Sequence, residues 1–213
     1  MSGSAVSARY ARGVLIATGL LWVVAVFGGM AALSHYATTP GESRESPARW
    51  PKDSALHPTP GRAQLVMLAH PRCPCTRASL GELEQVLAKA GGRAEAHVLF
   101  LRPEGLEKEW EKGELWQRAA SIPGVTVRED VGGVEARRLG ATTSGHVLLF
   151  DSEGLLRFSG GITSSRGHAG DNTGRATLEA LLSQPEFVAE GRHPVYGCAL
   201  EGPDERLAVG ALP

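Results

Sequence analysis

The sequence predicts an α/β domain with a mixed sheet, carried behind one membrane-spanning helix. Three observations predict it. An uncharged apolar run lies near the N-terminus, short apolar runs alternate with helical patterns from Ala63 onward, and two cysteines sit where the first strand hands over to a helix. At 213 residues the chain holds one domain of ordinary size plus extra segments. Its 22 Lys and Arg against 23 Asp and Glu give no basic footprint for nucleic acid and no pull toward strongly acidic partners. Three cysteines, Cys73, Cys75 and Cys198, are too few for a disulfide scaffold, and an odd count leaves one unpaired.

Residues 1–12 are small and polar, with Arg9 and Arg12. Residues 13–33 (GVLIATGLLWVVAVFGGMAAL) follow without a charge, about the length a helix needs to cross a bilayer. The run is longer than a signal-peptide core, and Ala31-Ala32-Leu33 makes a poor cleavage site, so it reads as an uncleaved anchor. Arg9 and Arg12 flank it closely, whereas the first basic residue beyond it is Arg44. That bias puts the N-terminus in the cytoplasm and the bulk of the chain outside, where disulfide chemistry is possible. The expected location is a bacterial inner membrane, single-pass, with the main domain in the periplasm. Residues 34–62 are rich in Pro, Ser, Gly and charge and read as a flexible linker. Within it, Trp50 either docks somewhere or stays loosely packed.

The domain proper is expected over 63–186, with 187–213 as a C-terminal tail. Ala63 to Ala69 (AQLVMLA) has the length of a buried strand. Leu80, Leu83, Val86, Leu87 and Ala90 then follow helical spacing until Gly91-Gly92. Ala94 to Leu101 is a second strand. Residues 105–120 read as an amphipathic helix with Leu106, Trp110, Leu115 and Trp116 inward, imperfect around Gly113. Val125 to Val127 is a short strand, and a small helix follows around Val134 to Leu139. Val147 to Phe150 and Leu155 to Phe158 flank the turn Asp151-Ser152-Glu153-Gly154 as a hairpin. After an irregular loop, Thr173 to Leu182 is the last helix, capped by Asp171 or Asn172.

The chemistry-bearing stretch is His70-Pro71-Arg72-Cys73-Pro74-Cys75-Thr76-Arg77. Its cysteines lie at a helix start, where free N–H groups and the helix dipole favour a thiolate. The thiolate is the form that attacks disulfides or binds soft metals, and Arg72, Arg77 and His70 add charge or donors nearby. We read Cys73 and Cys75 as a redox dithiol. Nothing points to a hydrolase, since G-x-S-x-G, H-E-x-x-H and a phosphate-cradling glycine loop are all missing from the sequence.

The order strand, cysteine-bearing helix, strand, helices, hairpin and closing helix resembles the thioredoxin fold over about Ala63 to Leu182. The implied architecture is a thioredoxin-like three-layer sandwich with a mixed sheet. Arg72-Cys73-Pro74-Cys75-Thr76, Glu135-Ala136-Arg137, Thr143-Ser144-Gly145 and the run from Ser165 to Arg175 resemble a narrower group, the membrane-anchored RedB-type thioredoxin-like proteins. The resemblance implies a thiol–disulfide oxidoreductase acting on protein thiols or disulfides, without a cofactor. Two features depart from the wider family: one residue, Pro74, separates the cysteines instead of two, and Gly145 stands at the usual cis-proline position. Proline between closely spaced cysteines implies a strained, more oxidising disulfide than thioredoxin's. Cys73 is the expected exposed nucleophile, and Cys75 the resolving thiol.

In that topology Ser144, Gly145 and His146 approach the dithiol, and the loop 160–171 lies near it, offering Arg166, His168 and Asp171 as supporting groups. The alternative for that loop is a plain solvated turn. His70 and His97 read as structural, and Glu82, Glu84 and Lys89 as a solvated helix face. Cys198 has three readings: an inert thiol, a third redox partner or a metal ligand. The competing function is a Cu(I)-binding or copper-delivery protein, with Cys73, Cys75 and His146 as ligands.

Overall fold

A computed structural model describes residues 3–184 and 192–200 of the chain. Two compact units divide at Thr38 and Thr39. The first is one α-helix, α1 (Gly3–Thr38), whose stretch Tyr10–Thr38 has a mean hydropathy of 2.2 and is long and apolar enough to cross a membrane. Leu15, Leu21, Trp22, Phe27 and Leu33 are all exposed along it.

The second unit contains β1 (Ala63–Ala69), α2 (Pro74–Ala90), β2 (Ala94–Arg102), α3 (Glu114–Ser121), β3 (Val125–Val131), α4 (Val134–Arg138), β4 (His146–Phe150), β5 (Leu156–Gly160) and α5 (Thr173–Ser183). The strands form one sheet in the order β3-β2-β1-β4-β5. The first three are parallel, and β4 and β5 run antiparallel to their neighbours. This is the expected thioredoxin-like fold. The interior strands β1 and β4 are apolar on both faces, as a sheet covered on both sides requires. Leu65, Met67, Val98 and Phe100 face α2, α3 and α5, packing on Leu80, Leu83, Leu115 and Leu178. Val66, Leu68, Leu148 and Phe150 face the other way, toward Ala136 and Leu139 near α4 and toward Leu56 and Leu200. Full burial of each such leucine is worth about 1.5–3 kcal/mol.

α2 begins where Cys73 leaves the extended conformation (φ −86, ψ 119) and Pro74 takes the first helical position, which proline's fixed φ suits. It stops at Gly91 in the left-handed region, φ 58, where a residue without Cβ fits best.

Three expectations need correction. The helix expected over 105–120 is confined to Glu114–Ser121. Residues 104–112 are turns, with Gly105 at φ 84 and Glu109 at φ 77, backbone that a right-handed helix cannot contain. Of the four expected inward residues only Leu115 is buried, while Trp116 tilts against Phe100 with ring centroids 5.5 Å apart. β3 is longer than Val125–Val127, because its backbone keeps pairing with β2 through Val131↔Arg102 across a charged, largely exposed stretch.

The expected flexible linker is the third. α1 takes its first residues up to Thr38, and the rest packs on the sheet domain. The Glu42 carbonyl accepts from the hydroxyls of Thr142 (2.6 Å) and Thr143 (2.9 Å). Leu156 N–H donates to Ala48, and Trp50 N–H donates to Gly154. Trp50 meets Phe150 edge-on at 5.1 Å, the Ser54 hydroxyl donates to Glu135 at 2.7 Å, and Leu56 is buried. Two apolar anchors and several satisfied polar groups outweigh the Pro- and Ser-rich composition.

Candidate functional site

β1 ends at Ala69, and three residues carry the chain over to Cys73 at the cap of α2. Ser144 ties this crossing together: its Oγ accepts from the His70 N–H at 2.8 Å and shares a 2.8 Å hydrogen bond with the Thr76 hydroxyl. Thr76 also donates to the His70 carbonyl at 3.2 Å. Gly145 follows at φ 89, its N–H bound to the Leu68 carbonyl, and a Cβ there would lie 2.7 Å from Ser79 Oγ. Ser144, Gly145 and Thr76 thus stand beside the start of α2, as expected. Pro74 is exposed. The Arg72 guanidinium lies 4.2 Å above the Trp110 ring, and the Arg72 backbone N–H donates to His70 Nδ1. Trp110, from the turns that replaced a helix, was not foreseen at the site.

All three cysteines are free thiols, and they gather here. Cys73 Sγ and Cys198 Sγ are 2.9 Å apart. Burial works against a Cys73 thiolate, but hydrogen bonds from the Cys198 thiol and from the backbone of Cys198, Thr76 and Cys75 win, and its pKa falls below the ordinary thiol value. Once Cys73 is ionised, Cys198 is therefore the donor of the shared proton. Burial, that hydrogen bond and the nearby negative charge push the Cys198 thiol up to about 12. Burial, the charge on Cys73 and a hydrogen bond to its sulfur also raise Cys75, against the pull of Arg166 and the Gly167 backbone. Of the three sulfurs, Cys73 is the one that ionises most readily.

One expectation about Cys73 is overturned: the expected nucleophile is not exposed. It is 1 % accessible, against 8 % for Cys75. The cover is the segment 192–200, which adds a short strand-like piece to the turn before β4. Ser144 N–H donates to the Cys198 carbonyl and Leu200 N–H to the Thr142 carbonyl, both at 2.8 Å, flanking the bridge Thr143↔Ala199. The approach is close enough that a Cβ on Gly197 would lie 2.0 Å from the Ser144 carbonyl oxygen.

From the loop 160–171, only part of the expected set arrives. Arg166 acts electrostatically on Cys75 and Cys198 and donates to the Gly197 carbonyl. His168 is exposed and bonded through Nδ1 to the Arg166 carbonyl, so it shapes the loop rather than meeting a sulfur. Asp171 is fully exposed on its side chain and paired with Arg175. His146 departs further: it shares a sheet face with Leu148 and Phe150, opposite α2, and its Nε2 bonds Ser159 Oγ at 2.9 Å. Among the described residues no group of three or more His, Cys, Asp or Glu side chains is arranged to hold a metal ion. The copper set Cys73, Cys75 and His146 is therefore not formed.

Glu82, expected on a solvated face with Glu84 and Lys89, is completely buried. Its carboxylate accepts from Arg175 at 2.6 Å and from the Gly170 N–H at 2.6 Å, clamping the loop's end to α2. Glu84 and Lys89 are exposed, and His97 is buried inside the sheet, as expected.

No protein-family model matches the chain, and no curated protein does. Among solved structures it is similar to an uncharacterized conserved protein from Geobacillus kaustophilus, at a TM-score of 0.54 and 18% identity, covering 78% of this chain and 93% of that one. It is also similar to the hypothetical protein SMc02350 from Sinorhizobium meliloti 1021, at a TM-score of 0.52 and 19% identity, covering 76% and 93%. A secreted Mycobacterium tuberculosis disulfide oxidoreductase matches at a TM-score of 0.42 and 14% identity over 58% of this chain and 82% of that one, too low to carry an argument. At these identities the likeness concerns the fold, and it agrees with the strand order: the chain has a thioredoxin-like fold, with three thiols gathered where β1 hands over to α2.

Proposed function

We propose that this protein is a membrane-anchored thiol–disulfide oxidoreductase, with Cys73 as the attacking sulfur and protein thiols or disulfides as its partners. The RedB-type group, which the Cys-Pro-Cys stretch resembles, is the narrower assignment. The observation that carries the reading is the donor set on one sulfur: Cys73, at the start of α2, lies 2.9 Å from the Cys198 thiol and meets backbone donors that lower its pKa although it is buried. An inert structural thiol in the same burial would be raised, because burial disfavours the charged form. The anchor is α1, whose apolar run from Gly13 to Leu33 spans about 31 Å at 1.5 Å per residue, matching a bilayer core of about 30 Å. With Arg9 and Arg12 on the inner side, the thiols lie in the periplasm.

The full chain in detergent should reduce insulin disulfides with a dithiol as electron source. Its Cys73 should alkylate with a pH midpoint below the ordinary thiol value of about 8.5. Cys73→Ser should abolish the reduction. Retained activity in that variant, or a midpoint at or above the ordinary value, would overturn the proposal.

A further inference from the structure

We propose that Cys198, not Cys75, is the resolving thiol, so that the redox couple of this site is Cys73–Cys198. The assignment rests on the oxidoreductase reading and deepens it. The Cys75 side chain also reaches the Cys73 sulfur with a hydrogen bond, but the two residues are only two positions apart at the start of α2. Joining them would disturb the first turn of α2, including the 3.1 Å hydrogen bond from the Thr76 N–H to the Cys73 carbonyl. Cys198 needs no such change. Its sulfur is already 2.9 Å from that of Cys73. Its backbone is fixed by pairing with Thr142 and Ser144 on one side and by the Arg166 guanidinium at Gly197 on the other. Gly197 lets the two backbones approach as closely as this contact requires.

The same segment accounts for the burial of Cys73. A partner disulfide reaches that sulfur when 196–200 lifts from 142–144, which breaks two backbone hydrogen bonds and the bond from Arg166 to the Gly197 carbonyl. The Cys73 thiolate then attacks the disulfide: one sulfur–sulfur bond breaks, a mixed disulfide with Cys73 forms, and the departing thiolate takes up a proton. With Cys73 now uncharged, the hydrogen bond and negative charge that held the Cys198 proton are gone, while Arg166 still favours a thiolate. The segment re-seats, and Cys198 loses its proton to solvent and attacks Cys73 Sγ. The Cys73–Cys198 disulfide forms, and the second partner thiolate leaves and is protonated. Two protein thiols have been oxidised and one partner disulfide reduced. Because the resolving sulfur is on the same chain, its return competes at an effective concentration that free thiols do not reach.

The test oxidises the full chain in detergent with glutathione disulfide, quenches with acid, alkylates, and maps tryptic peptides without reduction. The expected product links the peptide 73–77 to the peptide beginning at His193, with the alkyl label on Cys75. Cys198→Ser, which keeps a hydroxyl donor beside Cys73, should prolong the glutathione mixed disulfide on Cys73 at least tenfold, and Cys75→Ser should not. An internal Cys73–Cys75 link with Cys198 alkylated, or a trapped adduct in Cys75→Ser alone, overturns the assignment and leaves the oxidoreductase reading standing. Failure of Cys73 to form any disulfide overturns both.

Discussion

Arg175 is the residue whose loss should cost this fold more than a charged side chain in the first turn of α5 suggests. Its guanidinium, 11% exposed, reaches Glu82 at 2.6 Å, Gln85 at 2.9 Å and Glu179 at 3.5 Å, besides Asp171. Glu82 is wholly buried, and its other bond is from the Gly170 N–H. Arg175→Ala therefore strands a buried carboxylate with one neutral donor, a loss of about 3–5 kcal/mol. Glu82→Ala leaves a cation that still has Asp171, Glu179 and water, and should cost less, about 1.5–3 kcal/mol. With a urea dependence of about 2 kcal/mol per M, Arg175→Ala lowers the unfolding midpoint by about 1.5–2.5 M. Tryptophan fluorescence of the full chain in detergent reports it, since Trp50 and Trp116 pack on Phe150 and Phe100. Adding Glu82→Gln to Arg175→Ala should regain part of the loss, because the amide oxygen still accepts from Gly170 without a charge. An Arg175→Ala midpoint at or above that of Glu82→Ala, or no recovery in the double variant, would refute the reasoning.

Two further outcomes follow from Gly145 and His146, where the turn passes into β4. Gly145→Ala forces a side chain into φ 89 and places its Cβ 2.7 Å from Ser79 Oγ. The backbone part costs about 1–2 kcal/mol, and Ser79→Ala should relieve only the contact, so thermal melts of the double variant recover partially. Burial, with a smaller effect of Arg192, depresses His146 to about 4. A histidine depressed when folded contributes stability that is complete above its unfolded value of about 6.5 and is lost as pH falls toward its folded value. Acidification from pH 6.5 to 4 should remove about 3 kcal/mol at about 1.4 kcal/mol per pH unit, and His146→Gln should flatten that part of a urea-midpoint-against-pH curve. An unchanged slope would show that other groups dominate.

Much of the fold was legible because local signals agreed with tertiary demands. Ala63–Ala69 and the hairpin strands are apolar runs bounded by turn residues, and α2 has proline at its start and glycine at its end. Where the two disagreed, the reading failed. The apolar spacing of Leu106 and Trp110 mimics a helix, but the backbone turns at Gly105 and Glu109. Arg128-Glu129-Asp130 looks like loop, yet pairing with β2 keeps it extended. Glu82 falls in a run of charged residues, and only α5, some 93 positions away, supplies the arginine that lets it be buried. At the site, strand topology alone brought Ser144 to the thiols. It misplaced His146, because strand side chains alternate between faces and the fold of the turn decides which set faces the helix. The pairing of Cys198 with Cys73 spans 125 positions, and no periodicity encodes such a contact.

The rims of the sheet are finished in two different ways. Beyond β5 the backbone is met twice: by the N-terminal flank, through Arg49↔Leu155 and the bond from Leu156 to Ala48, and by the C-terminal flank, through Gly160↔His193. Beyond β3, Arg128 and Glu129 are exposed on the strand itself. Unsatisfied sheet edges invite other chains to add strands, and charge or coverage discourages it. The interior strands are thus shielded on one side by borrowed backbone and on the other by charged side chains that a new strand would have to desolvate. A chain lacking residues 39–62 should for that reason be more prone to self-association, even with its thiol cluster untouched.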